Sequence, residues 1–126
     1  MPSLDKFDKN LTARGLKRII NAGKYSYDGL CAAWQSEAAF RQLMILHIFL
    51  ISTACVLAFE ARERAFLIAL SFISLIVELL NSAIEATIDR ISLDIHPLSK
   101  QAKDLGSAAQ LLMLVLLFIS WILLLT

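Results

Sequence analysis

The chain has 126 residues, of which 58% are hydrophobic and 18% charged, and its formal net charge is +1. A soluble domain of this size leaves roughly 30–40% of its chain surface in water, and so apolar a composition is poorly suited to cover it. The charge balance excludes nucleic-acid binding driven by bulk electrostatics, and nothing in the composition favours disorder.

Residues 1–13 are polar and read as a flexible tail. Residues 14–35 read as a surface helix, with Leu16, Ile19, Ile20, Gly23, Tyr27, Leu30 and Trp34 on one face. Lys17, Asn21, Lys24, Tyr25 and Asp28 take the other. Such an amphipathic stripe suits a helix lying in the membrane interface, with Trp34 at headgroup depth. The first forty residues contain no apolar h-region, so no signal peptide is expected. Ser36 is placed to N-cap the helix that follows.

Three long apolar stretches come next, at 42–59, 65–84 and 105–126, and the only charge in them is Glu78. A hydrocarbon core of ~30 Å takes ~20 residues of helix, so each predicts a transmembrane helix. The fold class is therefore all-α: three transmembrane helices preceded by an interfacial one, in a single membrane domain spanning 1–126. Three buried helices of a soluble protein would need polar partners that the rest of the chain is too short to supply. Seven cationic residues precede the first span: Lys6, Lys9, Arg14, Lys17, Arg18, Lys24 and Arg41. Arg90, Lys100 and Lys103 lie between the second and third, and only Arg62 and Arg64 lie in the tight connection at 60–64. The positive-inside rule puts the N-terminus and the 89–104 loop in the cytoplasm and Thr126 on the periplasmic side. Cys31 and Cys55 form no disulfide framework and have no metal-ligand spacing to a histidine. His47, within the first span, reads as a packed histidine rather than a ligand.

A polar stripe closes the second span. Glu78, Asn81, Ser82, Glu85 and Asp89 fall within a sector of roughly 80° on a helix. Carboxylates at a membrane are costly and mark function when they face a cavity or a partner. A hydrogen-bonding seam between subunits would need fewer acids, because like charges repel unless a cation intervenes. A hard cation such as Mg²⁺ takes one or two carboxylates together with substrate phosphate. A glutamate in a low-dielectric setting suits a general base. Arg18, Lys24, Lys100 and Lys103 stand on the same side, able to meet phosphates. The combination suggests phosphate chemistry on a lipid headgroup, without a P-loop, a glycine-rich kinase loop or a dinucleotide fingerprint. A lone protomer is expected to expose Glu78, Asn81 and Glu85 to acyl chains, so burial by neighbouring subunits is expected. The small residues Gly106, Ser107, Ala108 and Ala109 would let helices approach closely.

The segments Glu37-Ala-Ala-Phe-Arg-Gln42, Val77-Glu-Leu-Leu-Asn-Ser-Ala-Ile-Glu-Ala86 and Ala102-Lys-Asp-Leu-Gly-Ser-Ala-Ala109 resemble the bacterial integral-membrane diacylglycerol kinase family. Ala32-Ala33-Trp34 and His96 fit it as well, and the similarity runs from Arg14 to the C-terminus. The resemblance implies a homotrimer of the inner membrane, with sites shared between chains, that phosphorylates diacylglycerol to phosphatidic acid with ATP and Mg²⁺. It further implies that Glu78 accepts the substrate proton and that Glu37 and Glu85 bind the metal. Implied ATP contacts are Arg18, Tyr25, Glu37, Glu85, Asp94, Ile95, His96, Lys103 and Asp104. Implied lipid contacts on the surface helix are Arg18, Ala22, Gly23, Lys24, Tyr25, Ser26, Tyr27, Cys31, Ala32, Ala33 and Trp34. Further along they are Ala39, Phe40, Arg41, Gln42, Glu78 and Ser107, with Asn81 and Asp89 in support. Leu43, Ile95 and Pro97 depart from the family pattern, in which glutamate, an aromatic and an acid are usual. An undecaprenol kinase of the related Gram-positive branch is the alternative within the class, although the Ala-Ala-Trp, Glu-Ala-Ala-Phe-Arg-Gln and Asp-Leu-Gly-Ser-Ala-Ala segments favour the diacylglycerol branch. A non-enzymatic membrane scaffold is the alternative outside it.

Overall fold

The computed structural model describes the backbone of residues 4–126 and the side chains from Thr12 onward. The described chain is helical apart from short connections: α1 (Leu4–Ser36), α2 (Ala38–Val56), α3 (Ala61–Ile91) and α4 (Pro97–Leu125). It divides into two compact units, Met1–Ser36 and Glu37–Thr126.

The first unit is α1. The helix begins ten residues earlier than the expected start at 14, since no glycine or proline lies between Leu4 and Ala13 to stop it. Of the tail expected at 1–13, residues 1–3 lie outside the described residues, and Leu4–Ala13 is helix. The apolar stripe of Leu16, Ile19, Ile20, Tyr27, Leu30 and Trp34 is exposed along α1, as an interfacial helix requires. Ser36 does not cap α2. It is the last residue of α1, and its hydroxyl donates to the Ala32 carbonyl at 2.7 Å. Glu37 takes the cap position of α2 with an extended backbone instead, because a hydroxyl already engaged one turn back cannot turn to the next helix.

The second unit is an antiparallel array with α3 packed against both α2 and α4. All three helices are long and apolar enough to cross a membrane. The buried positions recur every three, four or seven residues, with Leu70/Ser71 and Ser120/Trp121 as adjacent pairs: Phe40, His47 and Ala54 on α2; Leu67, Leu70, Ser71, Ser74 and Glu78 on α3; Gly106, Gln110, Met113, Leu117, Ser120 and Trp121 on α4. That is the spacing of a helix seam. Toward the 57–60 connection the seam is apolar: Ala54, Leu67, Leu70, Met113, Leu117 and Trp121 form one core. The Phe59 and Trp121 rings meet edge to face there at 5.9 Å.

Two boundaries differ from expectation. The α2–α3 connection is shorter than 60–64, because Glu60 and Glu63 form a reciprocal capping box that starts α3 at Ala61. Arg64 lies within the helix and turns back. Its Nε donates to the Ala54 carbonyl at 3.0 Å and its Nη2 to the Phe59 carbonyl at 3.2 Å, satisfying backbone acceptors around the end of α2. At its other end α3 runs on past Ile84 to Ile91, with neither glycine nor proline in the way. Its 31 residues span ~46 Å at 1.5 Å per residue, more than a hydrocarbon core of ~30 Å. The final turns therefore carry the acid stripe out of the apolar layer.

Candidate active site

The continuity of α3 keeps the stripe on one face, and its burial is graded. Glu78 is 5% exposed, Asn81, Ser82 and Glu85 are half-buried, and Asp89 is open. The enclosure of Glu78 corrects one expectation: a single chain already shields this carboxylate, and only Asn81 and Glu85 remain partly open for a neighbour to cover. Glu37, at the start of the second unit, is half-buried. The charges of both Glu85 and Glu37 bear on Glu78, so three carboxylates from two stretches of chain are gathered at one end of the bundle.

Such a group repels itself unless a cation intervenes. Among the described residues no set of three His, Cys, Asp or Glu side chains is arranged to hold a metal by itself. A cation at Glu37 and Glu85 would complete its shell with phosphate oxygens and water, which is the habit of Mg²⁺. Two hard oxygen donors beside a buried third acid fit that ion.

The α3–α4 connection forms the neighbouring wall. His96 caps α4, its Nδ1 accepting from the Leu98 N–H at 3.1 Å, and Pro97 stands at a position where a missing N–H costs nothing. The Asp94 N–H donates to Ser92 Oγ at 3.0 Å. The turn is thus pinned at both ends, and a cleft of about 370 Å³ opens beside it, lined by Asp89, Asp94, Ile95, His96, Lys103 and Asp104 among others. Lys103 Nζ lies 2.6 Å from Asp89 Oδ1 and within electrostatic reach of Glu85, linking the cleft to the carboxylates. Lys100 pairs with Asp104 across one turn of α4. Two ammonium groups on the rim of a cleft can meet a polyphosphate.

The remaining sequence-predicted positions fall into two sets. On α1, Arg18, Ala22, Gly23, Lys24, Tyr25, Ser26 and Tyr27 are exposed, Cys31 is half-buried, Ala33 is buried, and Ala32 and Trp34 are exposed. The Cys31 side chain, one turn away, raises the Tyr27 pKa above the ordinary value. On α2, Ala39 and Gln42 are exposed and Arg41 is half-buried, whereas Phe40 is enclosed rather than open to lipid. Ser107 is exposed, next to a buried Gly106. A methyl group at Gly106 would collide with Asn81 Oδ1, so a glycine here permits the close approach of α3 and α4. Both cysteines are free thiols.

Sequence reasoning missed Ser71, Ser74 and Gln110, all buried. Their signal was available: Ser71, Ser74, Glu78, Asn81 and Glu85 recur every three or four residues, so the polar stripe begins two turns before its first acid. It also missed the inward turn of Arg64, which the chain order alone presents as a loop charge.

Comparison with known proteins places these features in a family. The family profile described as prokaryotic diacylglycerol kinase matches residues 24–125. A diacylglycerol kinase of Pseudomonas aeruginosa is 57% identical over 107 residues, covering 85% of this chain and 87% of that protein. One from Escherichia coli K12 is 48% identical over 111 residues, covering 88% and 91%. One from Helicobacter pylori is 44% identical over 118 residues, covering 94% and 92%.

Proposed function

The chain belongs to the prokaryotic diacylglycerol kinase family, and from that premise we propose that it transfers the terminal phosphoryl group of ATP to the hydroxyl of 1,2-diacylglycerol. The products are phosphatidic acid and ADP. Glu78 is the general base: its carboxylate takes the hydroxyl proton as the lipid oxygen attacks phosphorus. Glu37 and Glu85 hold Mg²⁺, which when bound offsets the charge of the phosphate oxygens. Lys103, Asp104 and the Asp94–His96 turn contact the nucleotide, to which the family resemblance also assigns Arg18 and Tyr25. Asn81 and Asp89 hold their neighbours in place, Ala39, Gln42 and Ser107 meet the lipid, and the family resemblance assigns exposed positions of α1 to the lipid as well.

The observation that carries this reading is the gradient along α3. The enclosed Glu78 sits toward the bilayer, where a lipid hydroxyl arrives, and the half-buried Glu85 sits toward Lys103 and the cleft. Two helical turns apart on one face of α3, the two carboxylates can converge on the hydroxyl and on the phosphoryl group it attacks. We further propose that the 92–96 end faces the cytoplasm of an inner membrane and that three chains assemble, as the family resemblance implies.

Purified protein in mixed micelles, given Mg-ATP and either diacylglycerol or undecaprenol, tests the reading by the lipid phosphate formed. Diacylglycerol should be phosphorylated well ahead of undecaprenol. The reverse order would reassign the substrate, and no transfer to either lipid would end the kinase reading.

A further inference from the structure

Behind Glu78, away from the nucleotide cleft, the bundle contains polar groups that the reaction does not use. His47 on α2 is 0% exposed, and neither of its ring nitrogens has a hydrogen-bond partner. Gln110 on α4 is buried too; its Nε2 donates to Ser74 Oγ at 3.3 Å, and its Oε1 has no partner.

These residues share one level of the bundle. Ala54 and Leu67 belong to the same packed core, and α2 and α3 run antiparallel. Seven residues from Ala54 along α2, and seven from Leu67 along α3, lead to His47 and Ser74, on the same side of that core. Gln110 joins them through its bond to Ser74. Four residues along α3 from Ser74 stands Glu78, one helical turn away.

Imidazole and carboxamide groups without partners are costly in a membrane interior, where no bulk water can satisfy them. Nor can lipid or a neighbouring subunit help, because His47 presents no surface to either. The unmet groups are chemically complementary to water. A neutral imidazole offers one donor and one acceptor, and Gln110 Oε1 is an acceptor. Water can donate to the imidazole acceptor or to Gln110 Oε1 and accept from the ring N–H, and the Ser74 hydroxyl adds a further polar contact of the kind buried water takes.

We propose that the bundle binds water at this level, between His47, Ser74 and Gln110. The acid stripe of α3 then ends against a hydrated polar floor one turn beyond Glu78, and not against hydrocarbon. This site is independent of the kinase reading, because it follows from the packing of one chain.

The test uses the full chain in lipid bilayers, labelled with ¹⁵N-histidine. Only two histidines are present, and the exposed His96 serves as the internal control. Water-edited solid-state NMR should show magnetisation passing from water to the ring nitrogens of both. Transfer to His96 alone overturns the proposal, as does a His47 ring hydrogen-bonded to protein with no transfer from water. Thermal unfolding supplies a second reading. His47→Leu and Gln110→Leu should each lower Tm, because each leaves the hydrated site half built. Combining them with Ser74→Ala, which removes the polar site altogether, should recover at least half of the summed loss. Losses that simply add would count against a shared water site.

Discussion

The two ends of the α2–α4 array have the same helices and the same seam spacing, yet opposite chemistry. At the 57–60 end, Leu67, Leu70, Met113, Leu117 and Trp121 close a core with no charged member. At the 92–96 end, the equivalent positions along α3 and α4 are Glu78, Asn81, Gly106 and Gln110, and two of these carry buried polar atoms without partners. The apolar end is held by side-chain packing, and its one unpartnered polar atom among the described core side chains is the Trp121 Nε1. The polar end gathers carboxylate and carboxamide groups that packing alone does not satisfy, as a ligand site requires. Stability and chemistry are thus divided along the axis of a single helix, α3.

The largest effect expected from breaking this division lies at the polar end. Glu78→Gln preserves shape and removes the proton acceptor, so turnover should fall by ~100-fold or more, the usual scale for loss of a general base. The thermal midpoint should hold or rise, since a buried carboxylate is replaced by a neutral amide. Lipid phosphorylation measured beside a melting curve checks both, and a near wild-type rate would exclude Glu78 as the base.

Leu117→Ala makes the converse perturbation. Removing a buried leucine from the apolar core should cost about 2–4 kcal/mol, read as a lower Tm. The rate per folded molecule should stay near wild type, because the core lies far along the bundle from Glu78. A variant that keeps its Tm but loses turnover would show that the two ends are not separable.

Much of this division was legible in the sequence. The three apolar stretches and the acid stripe follow from composition and a 3.6-residue period, because the bilayer sets helix length and the helix sets which side chains share a face. Asp94, Ile95, His96, Lys103 and Asp104, which the family resemblance implies as nucleotide contacts, line a single cleft. Other features were hidden because they depend on what lies opposite in space. Ser71 and Ser74 are small enough to pass as apolar in a hydropathy reading, and only the partner helix shows that they face inward with Gln110. The enclosure of Glu78 within one chain was not legible either, since periodicity gives a direction on a helix and says nothing of what covers it.

A smaller effect is expected at the two proposed metal carboxylates. Glu37→Ala or Glu85→Ala should raise the Mg²⁺ concentration needed for half-maximal activity by about tenfold, equivalent to about 1.4 kcal/mol of binding. Saturating Mg²⁺ should restore part of the rate. A magnesium titration of each variant against wild type decides the matter, and unchanged midpoints would remove both residues from the metal site.

The smallest effect sharpens the comparison where the bundle meets water. Lys103 and Asp89 form a 2.6 Å pair, but their side chains are 39% and 48% exposed. A pair so open to solvent is worth little to folding, on the order of 0–1 kcal/mol. Asp89→Asn should therefore leave Tm nearly unchanged. Its effect should fall on the nucleotide instead. Asp89 holds the Lys103 ammonium group over the cleft, and without that anchor the lysine samples other rotamers before ATP arrives. The cost is one of ordering, so KM for ATP should rise about two- to fivefold, comparable to fixing one long side chain at about 0.5–1 kcal/mol, while kcat changes less. Measuring KM and kcat together separates this from a structural role. A fall in kcat with KM unchanged would mean that Asp89 acts on the chemical step through Glu85, and a large drop in Tm would mean that the solvent-exposed end carries stability that the division of labour along α3 assigns to the other end.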